Sequence, residues 1–214
     1  MLTSVAMLGG TFDPVHAGHL RSAVELRETL GFDEIRFVPC HVPPHRAAPI
    51  ASASQRLRML ELALEGEPGL TVDSRELQRD APSYSIDTLT ALRAELGPDT
   101  ALSLVMGMDA FEHLDSWQRW RELRDYAHIV VIARPGSALP QTGAVAEWLS
   151  AHRAAAETLQ QRCCGSVVCV ELTPWPISAT AIRGTIGNGR SPRYLLPDAV
   201  WRYIRQQRLY QAPV

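Results

Sequence analysis

The stretch Met7 to Leu20, MLGGTFDPVHAGHL, constrains the fold more tightly than any other part of this chain. Val5 to Leu8 has the apolar and β-branched content of a buried strand. Gly9 and Gly10 can take backbone angles closed to other residues, and are expected to stop that strand. Pro14 breaks regularity again, and from Gly18 onward His19, Leu20, Ala23, Val24, Leu26 and Leu30 recur at helical spacing, so a helix is predicted from near Gly18. The first N–H groups of such a helix lack intrahelical partners and carry the positive end of its dipole. The turn between Gly9 and His19 is therefore a natural seat for a phosphate.

The same alternation continues along the chain. Apolar strand-like runs fall at Val5 to Leu8, Ile35 to Pro39, Leu70 to Val72, Ala101 to Met106, Ile129 to Ala133 and Val167 to Leu172. Helical patterns lie at Leu20 to Leu30, Ser54 to Leu64, Ser85 to Leu96 and Val145 to Gln161. This β/α order predicts an α/β, Rossmann-like, doubly wound and mainly parallel sheet. A single domain over residues 1–214 is expected, with 178–214 as a small helical C-terminal subdomain. Gly31 and Gly97 read as helix ends, and Ser52 or Ser54 and Ser83 as helix N-caps. The proline-rich loop from Pro39 to Ala53 is long for a simple connection and reads as functional.

Composition removes several chemistries. All 21 basic residues are arginine, which excludes a Walker A lysine and a lysine Schiff base. A net charge of −2 gives no global attraction to nucleic acid or anionic membranes, so neither is an expected partner. No apolar run reaches the ~18 residues of a membrane span. Four cysteines without a CxxC pair, two of them adjacent, make a poor disulfide framework, so a reducing cytoplasm is the expected setting.

His16 and His19, three apart at a helix start, can face the same anion. Imidazole donors beside a helix N-terminus stabilise charge that develops on phosphate oxygens during group transfer. Alone, an HxxH pair reads more readily as two ordinary helix-start residues. A zinc site with His41 or His45 as a further ligand is a weaker reading, since no HExxH pattern is present. Far along the chain, ISATAIR (Ile177 to Arg183) offers Ser178, Thr180 and Arg183 as polar groups at another strand-to-helix transition. Ile177 and Ile182 read as core. Ser178 reads equally well as a helix cap. In an open parallel sheet, turns beyond the carboxyl ends of strands can converge on one ligand.

GGTFDPVHAGH resembles the HxGH nucleotide-binding signature of the adenylyl- and cytidylyltransferase superfamily, and ISATAIR is similar to its C-terminal (I)SSTxIR motif, with Ala179 where a second serine often occurs. Within the superfamily the chain resembles the bacterial nicotinate-nucleotide adenylyltransferases, on the strength of PCHVPPHR at Pro39 to Arg46, PSYSIDTL at Pro82 to Leu89, GMDAFEHLDSW at Gly107 to Trp117 and ARPG at Ala133 to Gly136. The resemblance spans nearly the whole chain. It implies adenylyl transfer from ATP to nicotinate mononucleotide, giving nicotinate adenine dinucleotide and pyrophosphate, with Mg2+ accompanying ATP. It implies His16, His19 and Arg183 as catalytic residues. Gly9, Gly10, Thr11, Phe12, Gly107, Asp109, Ile177, Ser178 and Thr180 would join them around ATP. His45, Tyr84, Ser85, Trp117 and Arg134 would meet the mononucleotide, Trp117 by stacking on the pyridine ring. No role is carried onto Cys40, where the family often has asparagine. No resident metal site is expected. Rival readings are another phosphate acceptor (nicotinamide mononucleotide or phosphopantetheine) and a silent nucleotide-binding module. A homo-oligomer is left open.

Overall fold

The computed structural model describes residues 2–41, 48–79, 82–133, 136 and 139–211. Six strands, β1 (Ser4–Gly10), β2 (Glu34–Pro39), β3 (Leu70–Val72), β4 (Ala101–Gly107), β5 (His128–Ala133) and β6 (Val167–Glu171), form one sheet in the order β3-β2-β1-β4-β5-β6. Every neighbouring pair is parallel. This order places β1 and β4 side by side at the point where the chain's winding reverses. A crevice opens there beyond the carboxyl ends of the strands, and open α/β sheets bind ligands in it.

Helices cover both faces, as strands that are apolar throughout require. One face buries Ala6, Leu26, Ile35, Phe37, Met59 and Leu60, largely under α1 (Ala17–Leu30) and α2 (Ala53–Leu64). The C-terminal helices α7 (Ala179–Gly187) and α8 (Asp198–Gln206) join this same core through Ile182, Ile186, Val200 and Ile204. The opposite face buries Val5, Met7, Leu102, Leu104 and Ile129. It is covered by α3 (Ser85–Leu96), the short helices α4 (Met108–Phe111) and α5 (Leu123–Tyr126), and α6 (Ala144–His152). Val5 and Met7 face one core and Ala6 the other, the period-two alternation of a strand buried on both sides.

Three local expectations are corrected. β1 does stop at the glycines, its last residue being Gly10, but neither Gly9 nor Gly10 uses a positive φ. The left-handed residue of the turn is Phe12, at φ 50°. Ser83 is not the cap of α3; Tyr84 occupies that position, and the Ser83 hydroxyl instead accepts the His41 N–H at 3.0 Å. The helix expected over Val145 to Gln161 stops at His152, and a separate 3-10 turn covers Ala156–Gln160. Between them Arg153 bridges to Val167, and the Ala154 N–H donates to the Val167 carbonyl at 2.9 Å, so the edge of β6 claims backbone that would otherwise be helical. Gly31 and Ser52 behave as read: Gly31 ends α1 at φ 69°, and Ser52 caps α2. Among the described residues no helix is long and apolar enough to cross a membrane. All four cysteines are free thiols.

Candidate active site

The turn between β1 and α1 is held from outside. Buried Arg56 of α2 donates to the Thr11 carbonyl at 2.8 Å and to the His41 carbonyl at 3.3 Å. Arg183 of α7 donates to the Asp13 carbonyl at 2.7 Å and to the Thr180 hydroxyl at 3.3 Å. The Asp13 side chain accepts from the Ile50 N–H (2.8 Å), the Ala51 N–H (3.1 Å) and the Tyr210 hydroxyl (2.7 Å). Gly10 matters for its missing side chain rather than its angles. A Cβ there would stand 2.9 Å from Phe12 Cζ, so the Phe12 ring can fold beneath the strand end only if residue 10 has none.

His16 is the N-cap of α1 and His19 lies three residues in. The His16 N–H donates to His19 Nδ1 at 3.3 Å. This bond requires a lone pair on Nδ1, which leaves the proton of the neutral ring on Nε2. The two rings stack with centroids 3.7 Å apart and planes 22° apart, and the Phe12 ring meets His19 edge-on at 5.1 Å. Gly18 permits this: a Cβ would come within 3.1 Å of His16 Nδ1 and 3.6 Å of Ile177 Cβ. Burial pulls the His16 pKa down to about 4, and burial with the nearby His16 pulls His19 down to about 3. Both rings are therefore neutral near pH 7. His16 Nδ1 is buried without a hydrogen-bond partner, and an orphaned polar atom of this kind calls for an explanation.

The ISATAIR segment arrives beside this turn. Ile177 reaches the Gly18 side of α1, and Ser178 caps α7, its hydroxyl accepting the Ala181 N–H at 3.2 Å. The cap and the proposed phosphate contact are compatible, since a hydroxyl that accepts keeps its own proton to donate. Thr180, which accepts from Arg183, is in the same position. Across the switch point, Leu8 pairs with Val105, so Gly10 and Gly107 end their strands level with each other. A Cβ at Gly107 would meet nothing within 4 Å, which marks open space above that strand end. Asp109 lies in the first turn of α4, which begins there.

Of the residues expected around the second substrate, Tyr84 and Ser85 form the start of α3, and Trp117 is half-buried after a 3-10 turn at Leu114–Ser116. Tyr84 and Trp117 both border the apolar cluster on the α3 side of the sheet, while Trp120 lies inside it. His45 and Arg134 lie outside the described residues. Arg56 and Tyr210 carried no signal in the sequence. Arg56 looks like one more helical arginine in QRLRM, and Tyr210 lies near the chain end.

The cytidylyltransferase-like family profile matches residues 7–185, a span that contains both the His16/His19 turn and Arg183. The chain belongs to this family. Within it the chain belongs with the nicotinate-nucleotide adenylyltransferases. It is 49% identical over 211 residues to a protein of Cellvibrio japonicus named probable nicotinate-nucleotide adenylyltransferase, covering 99% of this chain and 100% of that one. A protein of the same name from Aeromonas salmonicida is 52% identical over 97% of each chain. The fold matches that of the Plasmodium falciparum nicotinic acid mononucleotide adenylyltransferase solved in complex with NaAD. The TM-score is 0.72, with 15% identity and 97% of each chain covered.

Proposed function

We propose that this adenylyltransferase moves the AMP group of ATP onto nicotinate mononucleotide, releasing pyrophosphate and forming nicotinate adenine dinucleotide for NAD synthesis. The observation that carries the chemistry is the stacked, neutral His16/His19 pair at the N-terminus of α1, with Arg183 fixed to the same turn.

An oxygen of the mononucleotide phosphate attacks the α-phosphorus of ATP in line. The new P–O bond forms as the bond to the β-phosphate bridging oxygen breaks, and that oxygen leaves with pyrophosphate. Negative charge on the equatorial oxygens is met by the imidazole N–H donors of His16 and His19, by the Arg183 guanidinium and by the first N–H groups of α1. Little covalent work is left for the protein, so positioning supplies most of the rate. Ser178 and Thr180 donate to phosphate oxygens. Gly9, Gly10, Thr11, Phe12, Gly107, Asp109 and Ile177 surround the nucleotide.

Magnesium enters as part of MgATP. It would be held mainly by phosphate oxygens and water, with few ligands from the protein. Tyr84, Ser85 and Trp117 would receive the mononucleotide, with His45 and Arg134 as further contacts. With its cysteines as free thiols, the enzyme would work in the cytoplasm.

The test is pyrophosphate release with ATP fixed and nicotinate mononucleotide, nicotinamide mononucleotide or phosphopantetheine as acceptor. Nicotinate mononucleotide should give the highest kcat/KM, and His19→Ala should lose about 10²–10³-fold in kcat. A preference for either other acceptor would overturn the substrate assignment. Wild-type turnover in His19→Ala would overturn the catalytic one.

A further inference from the structure

The C-terminal segment reaches the histidine turn through a buried hydrogen bond from Tyr210 to Asp13. Tyr210 is 8% exposed and packs in the α1/α2 core, and its hydroxyl donates to Asp13 Oδ1 at 2.7 Å across 197 positions of sequence. Its backbone sits at φ 60°, as does the nearby Arg208 at φ 52°. Left-handed geometry is unfavourable for an aromatic residue and persists only where surrounding contacts enforce it. Burial and the adjoining Asp13 push the Tyr210 hydroxyl pKa upward, so it stays protonated as a donor.

Asp13 is where four segments meet. Its side chain accepts from Ile50 and Ala51, at the far end of the Pro39 to Ala53 loop, and from Tyr210. Its carbonyl accepts from Arg183. It lies three residues before His16. A shift of Asp13 therefore moves Arg183 and the histidine turn relative to each other. Among the described residues Tyr210 makes no hydrogen bond to Arg183, His16 or His19, so its influence on the reaction passes through Asp13.

We propose that Tyr210 and Asp13 are positioning residues of the active site: the Tyr210–Asp13 hydrogen bond holds the turn where His16, His19 and Arg183 can meet one phosphate. This rests on the adenylyl-transfer reading above. A tail that merely closed the fold would affect stability and leave the chemistry alone, and the two roles separate experimentally.

Tyr210→Phe keeps the packed ring and removes one O–H, whereas Asp13→Ala removes both carboxylate oxygens that accept from Ile50, Ala51 and Tyr210. Both variants, the double variant and the wild type would be compared in kcat, KM for each substrate, ATP affinity by calorimetry and Tm, with kinetics taken well below every Tm. Tyr210→Phe should lower kcat about tenfold, as a displacement of less than an ångström would. It should weaken ATP binding several-fold and leave the acceptor KM near wild type, because the bonds to Ile50 and Ala51 remain. Asp13→Ala should also raise the acceptor KM. Adding Tyr210→Phe to it should change nothing further, since the two act through one bond. A lowered Tm with wild-type kcat and ATP affinity in Tyr210→Phe, or multiplicative effects in the double variant, would overturn the proposal. If the wild type binds ATP yet releases no pyrophosphate with nicotinate mononucleotide, the adenylyl-transfer reading fails, and the ATP affinities of the variants still decide the positioning role.

Discussion

Two imidazoles stacked 3.7 Å apart would repel each other if both took up a proton, so the empty pair is favoured neutral. Their environment ensures this, since burial holds His16 near pKa 4 and His19 near pKa 3. Unfolded, both would titrate at about 6.5. Above that value neither state binds protons at these positions, and they contribute no pH dependence. As the pH falls below about 6.5 the unfolded chain gains protons that the folded chain refuses, so stability declines until the folded values near 4 and 3 are passed. The urea midpoint should thus be flat above about pH 7 and drop on acidification towards about pH 4. A His16→Gln/His19→Gln double variant, lacking both groups, should show a shallower drop. An unchanged acid slope would mean that these rings are not the source. Occupancy of the site by a phosphate should oppose the decline, because a nearby negative charge favours the imidazolium.

Helix α2 shows how an element contributes to the site by holding its backbone. Its N-terminus is closed by a reciprocal cap: the Ser52 hydroxyl accepts the Gln55 N–H at 3.2 Å, and Gln55 Oε1 accepts the Ser52 N–H at 2.9 Å. One turn later Arg56 grips the Thr11 and His41 carbonyls. Ser52→Ala should cost about 1 kcal/mol, seen as a lower urea midpoint with an unchanged m-value. Turnover should stay within about twofold, as the clamp itself is intact. A kcat loss out of proportion to the stability loss would show that the cap is part of the mounting of the turn. α2 was legible in the sequence because apolar period and cap agree, and α1 because its apolar period ends on Gly31. The strands were legible because parallel strands covered on both faces are apolar throughout. What escaped was decided by tertiary contact. Ala154 and Ala155 favour helix by propensity, yet Val167 on the edge of β6 takes the Ala154 N–H and ends α6. Gly9 and Gly10 look like a break, but the positive φ falls on Phe12, because the space it needs is the one left empty at Gly10. Arg56 is invisible in sequence for the same reason: only the fold makes a helical arginine a buried clamp.

At the scale of the molecule, strand order sets which chemistries meet. The β/α alternation specified a parallel sheet but not that β4 would return beside β1. That return puts Gly107 level with Gly10 and opens the crevice between them. The two matched motifs lie far apart in sequence and converge because α7 enters on the α1 side, where Arg183 ties it to the turn. Trp117, Tyr84 and Ser85 belong to the segments on the α3 and α4 side. Under the proposed function the groups assigned to phosphate lie on the β1, α1 and α7 side, those assigned to the acceptor's ring lie on the other, and Gly107 and Asp109 at the end of β4 would meet ATP between them. Trp117→Ala tests this division. Trp117 is only half-buried, so little stability should be lost. Loss of ring stacking should raise the KM for the mononucleotide about five- to tenfold. The KM for ATP should stay within about twofold, because ATP's contacts are carried by other elements. Equal increases in both constants would show that Trp117 supports the whole crevice, and no change in either would remove it from the acceptor side.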